Sequence, residues 1–400
     1  MIPSLVRTRG ALVAALVLSV PACGGRGGAE TAPTPRQEAE SGAFVVTIGT
    51  DTVAVERYTR TATTLTGEVI ARSPRTASRA YTAQLRPDGS VASVEVTSRL
   101  LTAPPSTFPS ITSTTMGGDT VTVRIARGDS VQVQRVPAGP GAHPQVAGSY
   151  AFHEQAILRA RRAGDTQTRY PMVSLGAAQP STVTLRMIRP DSAELTTIAG
   201  PAGVRLDAAG HILALDGMQS TQKYVVRRVA SLDVAALGAQ YAQREAAGRG
   251  LGTLSPRDSV RATVGGATLV VDYGRPLLRG RRVGDILPAG QVWRTGANAA
   301  TGLRTDRDLV IGGTRVPAGS YTLFSIPTQD GWTLIVNRQT GQWGTEHRPE
   351  QDLARIPLQR RTASPTVEQF TIRIDPATAG TATLRMLWDD LELAAPIEVR

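Results

Sequence analysis

The chain has 400 residues, a formal net charge of +11 at neutral pH and a single cysteine, Cys23. This length is sufficient for two domains with full cores, and one cysteine excludes disulfides within the chain. The charge does not predict a nucleic-acid partner, because Lys223 is the only lysine and the arginines are scattered instead of forming a basic stripe interleaved with aromatic residues.

The first 22 residues have the layout of a bacterial lipoprotein signal peptide. Two arginines precede an apolar run at 11–18, which is too short to span a bilayer, and small Ala22 precedes Cys23. The pattern predicts a lipid on Cys23 that attaches the protein to the membrane of the cell envelope. Gly24, in place of an aspartate, favours the outer membrane, with the protein facing the periplasm. An ordinary secretory signal, and so a secreted or periplasmic protein, is the alternative.

A β-rich N-terminal domain is predicted after a short linker. Residues 23–42 are rich in Gly, Ala, Pro and Thr without hydrophobic periodicity, which is typical of a flexible tether. Over 43–247, short segments rich in β-branched and aromatic residues predict an antiparallel meander or half-barrel. The clearest hairpin joins 81–85 to 91–96 through a Pro-Asp-Gly turn.

Two helices are predicted between these strands. Residues 152–162 place three apolar side chains near one face, and residues 233–247 carry apolar side chains at helical spacing, with Asp233 as the N-cap. The glycine-rich segment 248–252 then predicts the domain boundary.

The pattern over 254–400 predicts an antiparallel β-sandwich. Gly-Gly pairs at 265–266 and 312–313 mark two-residue hairpin turns. Strict alternation of apolar and polar residues indicates strands with one buried and one solvated face. It occurs at 332–337, 370–375 and 391–399. The fold class is therefore mainly β, with two domains.

The motifs of this C-terminal region resemble a bacterial family known as domain of unknown function 2911. They are Ser255-Pro256-Arg257, Asp272 to Pro276, Gly280-Arg281, Val292 to Thr301, Pro317 to Pro327, Trp332 to Asn337 and Gln342-Trp343-Gly344. The resemblance covers 254–400. It implies a compact β-rich envelope domain and transfers no catalytic residue, because the family has no established activity.

Motifs for metal binding, cofactor binding and catalysis are absent from the sequence. The four histidines form no H-x-x-x-H pair, since Ile157 stands where a zincin helix starting at His153 needs its second histidine, and surface or capping roles are expected for them. Ser220 and Lys223 spell S-x-x-K, but the strand pattern that follows would place them on opposite faces. We expect no metal site and no cofactor.

A cluster of aromatic and polar residues in the C-terminal domain is the candidate ligand-binding site. Tryptophan faces beside arginine and asparagine donors are a common way to hold sugars or peptides. The candidate residues are Arg275, Trp293, Arg294, Asn298, Trp343, Glu346 and His347. In the structural alternative, the tryptophans close the ends of the sandwich and the polar side chains bond to loop carbonyls.

These patterns favour a lipid-anchored, non-catalytic binding or structural module whose partner is an unidentified envelope protein, glycan or small molecule. One alternative is an envelope hydrolase or carbohydrate-active enzyme that uses Glu346, His347 or nearby acids. Another is a carrier of apolar ligands, since the N-terminal meander is similar in architecture to periplasmic half-barrels that carry lipids or lipoproteins. The carrier hypothesis requires an apolar cavity between the sheet and the helix at 152–162.

Overall fold

Two large β-sheets, antiparallel but for one pair of strands, make up most of the structure, in agreement with the mainly β fold class. The computed structural model describes residues 39–104, 106–175, 177, 179–328, 331–378 and 380–400. Cys23 and the tether before residue 39 lie outside these ranges. No helix in the described ranges has both the length and the apolar character needed to cross a membrane.

The N-terminal sheet contains fifteen of the described strands. They are β1 (Glu40–Ile48), β2 (Asp51–Arg60), β3 (Thr64–Ala71), β4 (Ala77–Leu85), β5 (Val91–Leu100), β6 (Ser110–Gly117), β7 (Thr120–Arg127), β8 (Ser130–Pro137), β9 (His143–Gln145), β10 (Gln167–Ser174), β11 (Ser181–Arg189), β12 (Ser192–Thr197), β13 (Gly200–Leu206), β14 (Ile212–Asp216) and β15 (Val225–Val229).

The C-terminal sheet contains nine of the described strands. They are β16 (Arg257–Val264), β17 (Ala267–Gly274), β18 (Thr301–Thr305), β19 (Leu309–Ile311), β20 (Thr314–Val316), β21 (Gly319–Thr328), β22 (Gly331–Asn337), β23 (Asp352–Pro376) and β24 (Thr381–Val399). The α-helices in the described ranges are α1 (Ala151–Ala163), α2 (Val234–Arg244) and α3 (Val283–Ile286).

The N-terminal sheet is a meander in two arms that meet at β1. One arm runs through consecutive neighbours from β1 to β8, and the other runs from β15 back to β9. The arms are joined by antiparallel pairing of β1 with β15, with Val45 opposite Arg227. Only β9 and β10 pair in parallel among the described strands. Chain-order pairing of this kind follows from the short turns that connect the strands.

Helix α1 packs against one face of this sheet, where side chains from both arms meet it in one core. Phe152 and Ile157 of α1 are buried together with Phe44 of β1, Val94 of β5 and Leu195 of β12. These core side chains pack between the sheet and the helix. The hypothesis of a carrier of apolar ligands stays a prediction.

The fully buried carboxylate of Glu154 ties α1 to the sheet. It accepts hydrogen bonds from the Arg60 guanidinium at 3.0 Å and from the backbone N–H of Ile212 at 2.7 Å. The Tyr58 hydroxyl and the Arg228 guanidinium also donate to it. A buried carboxylate is tolerated only when it is paired and its lone pairs are satisfied, as here.

A second buried carboxylate, Glu56 of β2, caps the start of α1. Its oxygens accept hydrogen bonds from the backbone N–H groups of Tyr150 at 2.6 Å and Ala151 at 3.2 Å. The hydroxyls of Tyr81 and Ser149 donate to the same carboxylate. Burial raises the pKa of Glu56, and these four donors oppose that rise. A negative charge at a helix N-terminus satisfies amides that lack partners within the helix.

The C-terminal sheet forms two layers joined by the long strand β23. Up to Leu358 this strand pairs with β22, and from Gln359 it pairs with β24. The layers share one core, in which Leu334 of β22 packs in the same cluster as Leu393 of β24. The layers thus belong to one continuous sheet, and the predicted β-sandwich stays a prediction. Both Gly-Gly hairpins lie where the sequence predicts them.

Several sequence boundaries need correction. Strand β1 begins at Glu40, so residues 40–42, assigned to the tether, belong to the sheet. Helix α2 ends at Arg244 and continues as a π-helical turn, although its predicted cap is confirmed, since Asp233 accepts the N–H of Ala236 at 2.9 Å. Ser220 and Lys223 lie in one turn, with the Lys223 N–H bonded to the Ser220 hydroxyl, and not on opposite faces of a strand.

His143 also differs from expectation. It is buried, not on the surface, and its Nε2–H donates to the carbonyl of Phe152 at 2.8 Å. Burial lowers its pKa to about 4, so this imidazole is neutral at physiological pH. Its packing between the rings of Phe152 and Tyr170 explains the burial.

The two sheets belong to one compact unit that spans residues 39–400. Thr50, in the turn between β1 and β2, donates its N–H to the carbonyl of Arg279 at 3.0 Å. The Arg279 guanidinium returns to the N-terminal half, where it pairs with Asp51 at 2.5 Å. This reciprocal contact holds the end of β1 beside the loop that follows β17.

Replacing Glu154 with glutamine is expected to lower the free energy of unfolding by about 3–5 kcal/mol, because the partly buried Arg228 would lose its carboxylate partner and the buried Arg60 would keep only Glu40. Denaturant titration followed by circular dichroism measures the loss. The matched control is Glu194→Gln, which breaks an exposed pair with Arg186 at 3.2 Å and should cost about 1 kcal/mol or less. Equal losses in both variants would contradict the assigned role of Glu154.

Candidate functional site

A cleft of about 720 Å³ lies where the ends of β1 and β2 meet the loops of the C-terminal sheet. Its N-terminal wall includes Val46, Ile48, Val53, Arg79, Tyr150, Lys223 and Tyr224. Its C-terminal wall includes Leu277, Arg279, Arg281, Ile286, Leu287, Trp293, Arg294, Trp343 and Trp388. The lining combines apolar and aromatic surface with five cationic side chains, and no Asp or Glu is among the lining residues.

Arg294 and Arg279 are the most deeply buried cations of the C-terminal wall, and each is 8% exposed. The Nη1 of Arg294 donates to the carbonyl of Asn298 at 2.7 Å, and its guanidinium lies 5.9 Å from the centre of the Trp343 ring. No carboxylate of the described residues forms an ion pair with it. Burial lowers its pKa to about 10, which leaves it charged at neutral pH.

The loop that carries Arg294 is held in a strained conformation. Thr295 and Asn298 both adopt positive φ angles, of 50° and 63°. Backbone hydrogen bonds between Trp293 and Ser325, both 2.8 Å, fix its start. The Thr301 hydroxyl donates to the carbonyl of Thr295 at 2.9 Å and fixes its end. Non-glycine residues in this region of φ cost energy and are concentrated at functional sites.

Tryptophans form the aromatic part of the cleft. Trp293 stacks on Trp388 with ring centres 5.7 Å apart, and its Nε1–H donates to the carbonyl of Gly296 at 3.0 Å. Trp388 is buried, whereas Trp343 is 41% exposed. Trp293 and Trp388 pack against the core, as the structural alternative expects, whereas the exposed Trp343 lines the cleft with Arg294 over its ring. The binding role stays a prediction.

The cleft brings together five of the seven candidate residues. Trp293, Arg294, Asn298, Trp343 and His347 line it, with Asn298 exposed at the surface. Three of them belong to the motif at 292–301 and Trp343 belongs to the motif at 342–344. His347 follows the second motif by three residues.

Arg275 and Glu346 are not among the lining residues. Arg275 is bound to Asp258 at 2.9 Å and to the hydroxyl of Thr371 at 2.9 Å, which accounts for it as a link between strands. Glu346 is exposed, while the neighbouring His347 bonds through Nε2 to Asp352 at 2.8 Å. The enzyme hypothesis stays a prediction.

The sequence patterns missed the N-terminal wall and Trp388. Lys223 was conspicuous as the only lysine of the chain. Its S-x-x-K context, however, raised only the question of catalysis and gave no indication of a cleft. Arg281 belongs to one of the family motifs, but that motif does not indicate which residues surround it in space. Trp388 lies in a strand of regular alternation, which predicts a core residue and not a cleft wall.

Comparison with known proteins supports the family resemblance of the C-terminal region. Residues 255–397 match the family model described as protein of unknown function (DUF2911). No curated protein matches this chain.

Two solved structures cover part of the chain with low scores. A protein of the DUF1089 family from Pseudomonas aeruginosa is 14% identical, with a TM-score of 0.31, over 41% of this chain and 90% of that one. A β-barrel-like protein of domain of unknown function DUF1849 from Brucella abortus is 9% identical, with a TM-score of 0.32, over 48% of this chain and 95% of that one.

Gly344→Ala tests how tightly the loop is packed. An added Cβ would lie 2.3 Å from Cδ of Arg294 and 2.7 Å from the carbonyl oxygen of Asn298, so Arg294 must shift. We expect a loss of about 1–3 kcal/mol in the free energy of unfolding and an altered near-ultraviolet tryptophan signal. Gly284→Ala, where a Cβ meets nothing within 4 Å, is the matched control. A loss no larger than in the control would contradict this placement of Arg294.

Proposed function

We propose that this protein is a non-catalytic binding module that holds an acidic ligand with an apolar part in the cleft between the two sheets. One observation carries the proposal: five cationic side chains line a largely apolar cleft, and within the described residues only Arg279 of the five forms an ion pair, with Asp51. A volume of about 720 Å³ falls within the range of small-molecule sites.

The state of Arg294 supports an acidic ligand. A charged group removed from water is stabilised by an opposite charge, and burying it without one costs several kcal/mol. Within the described residues, the Arg294 guanidinium meets a carbonyl oxygen and the face of Trp343 but no carboxylate. A ligand carboxylate or phosphate would supply the opposite charge through a charge-assisted hydrogen bond.

The apolar part of the ligand is proposed to lie along the side chains that separate the cations. Ile48 and Val53 on one wall and Ile286 and Leu287 on the other provide this surface. Contact with these groups would remove apolar area from water on both sides, which favours an amphiphile over a small hydrophilic anion.

Binding can be followed through the tryptophans, since three of them line the cleft. We expect dodecanoate, below its micelle-forming concentration, to change the tryptophan fluorescence, and neutral dodecyl maltoside to have a much smaller effect. Arg294→Gln should weaken dodecanoate binding about tenfold or more, because a hydrogen bond to a charged group contributes ~1.5–3 kcal/mol.

Arg261→Gln is the matched control for this measurement. Arg261 is exposed on β16 and is not among the lining residues, so its loss removes one positive charge without touching the cleft. Equal binding of dodecanoate and dodecyl maltoside, or equal weakening by the two arginine variants, would contradict the proposed function.

We further propose that a lipid on Cys23 anchors this module to the cell envelope, at the outer membrane and facing the periplasm. The support is the apolar run followed by a small residue and the only cysteine. Radiolabelled palmitate should be incorporated into the wild-type protein in a bacterial host, and Cys23→Ala should abolish the label. Equal labelling of both proteins would contradict the anchor.

A further inference from the structure

Two cations from opposite walls of the cleft form a pair that the sequence patterns did not anticipate. Lys223 comes from the turn before β15 in the N-terminal half, and Arg281 comes from the loop after β17 in the C-terminal half. We propose that the Lys223 ammonium and the Arg281 guanidinium together bind a phosphoryl group of the ligand. This inference rests on the proposed function and specifies the chemical class of its ligand.

The turn that carries Lys223 is well defined. Lys223 has a φ of 54°, a conformation rare for residues with a side chain, and its N–H donates to the hydroxyl of Ser220 at 3.3 Å. Its ammonium donates to the carbonyl of Met218 at 2.6 Å, which uses one of its three N–H groups. Within the described ranges the other two N–H groups meet no acceptor, so they can donate to a ligand oxygen.

Arg281 is fixed by its own loop. Its Nε donates to the carbonyl of Leu278 at 2.7 Å, and its Nη2 donates to the carbonyl of Leu277 at 2.9 Å. The side chain is half-buried, and burial lowers its pKa, with a further decrease from nearby Arg279. Glu368 acts in the opposite direction, but its Oε1 already accepts the N–H of Arg279 at 2.8 Å.

Both side chains line one cleft and, in the described part of the chain, donate only to backbone carbonyls. Burial is the main cause that lowers the pKa of Lys223, and the charge of Arg281 lowers it further. Like charges that are partly buried in one cleft are costly, and an anion bound there would offset both of them.

A phosphoryl group suits these donors better than a carboxylate does. The Nε and Nη2 edge of Arg281, one of the two edges through which a guanidinium binds a carboxylate bidentately, is already occupied by the carbonyls of Leu278 and Leu277. Lysine binds phosphate as a point charge without the need for a planar fork. A tetrahedral phosphate carries up to two negative charges and presents three oxygens in different directions, so it can accept from donors on facing walls.

The single lysine makes a selective test possible. Reductive methylation with ¹³C-formaldehyde labels Lys223 and the terminal amine only, and the Lys223 signal is identified by its absence from Lys223→Arg. The label keeps the positive charge but leaves one N–H, so it reports the charge of a bound anion, and the affinities of the unlabelled protein report the hydrogen bonds. We expect dodecyl phosphate to shift this NMR signal and to raise the pH at which it titrates. The pH rises because the bound anion stabilises the charged ammonium.

Affinity provides the second readout, measured by tryptophan fluorescence. Dodecyl phosphate should bind the wild-type protein about tenfold more tightly than dodecanoate. Lys223→Met should remove most of this preference, and Lys223→Arg, which keeps the charge, should retain much of it. Thermal unfolding of each variant checks that the fold is intact, and Arg261→Gln controls for the loss of one positive charge elsewhere.

The source of the phosphoryl group is distinguished by adding inorganic phosphate alone. A shift of the Lys223 signal with inorganic phosphate supports a site for free phosphate as well. A shift with dodecyl phosphate only supports a lipid-like headgroup.

Failure of this inference differs from failure of the proposed function. If dodecanoate binds and depends on Arg294 while the Lys223 signal stays unchanged with every phosphate, the phosphoryl subsite is overturned and the binding module stands. An unchanged phosphate preference in Lys223→Met overturns it equally. If neither amphiphile changes the tryptophan fluorescence or the Lys223 signal, both the subsite and the proposed function fail.

Discussion

Two glutamates that are removed from water, Glu56 and Glu154, fix helix α1 on the N-terminal sheet. Each carboxylate is satisfied by donors from different segments, so neither can move without leaving a buried charge unpaired. The burial of α1 in turn lets both arms of the sheet contribute to one core.

The same interaction extends to the cleft. Glu56 accepts hydrogen bonds from Ser149 and from the N–H of Tyr150, which places Tyr150 in the cleft wall. Tyr150 packs on Tyr224 with ring centres 5.9 Å apart, directly beside Lys223. The core thus compensates each buried carboxylate with several donors, whereas four of the five cleft cations, all but Arg279 with its partner Asp51, form no ion pair within the described residues. This contrast within one chain favours a role for the cleft cations in binding rather than in stability.

Local sequence patterns predicted much of the fold. The Gly-Gly hairpins, the Pro-Asp-Gly hairpin, helix α1 and the Asp233 cap all follow from interactions within a few residues, and the structure confirms them. The change of partner within β23 was not predicted, because strand alternation does not encode which neighbour a strand pairs with. Trp293, Arg294 and Trp343 were found because unusual residues stood together in segments without periodicity. Arg275 was selected for the same reason, but its side chain links Asp258 of β16 to Thr371 of β23.

Composition and short-range order established a mainly β chain, its hairpins, its lack of disulfides and one wall of the candidate site. Tertiary structure alone decided that Lys223 and Arg281, 58 positions apart in the sequence, line one cleft. It also decided that Glu56 and Glu154 serve the core, although glutamate on a strand or helix is usually a surface residue. The physical reason is that burial and charge compensation depend on neighbours in space, and these neighbours come from segments whose approach no local pattern specifies.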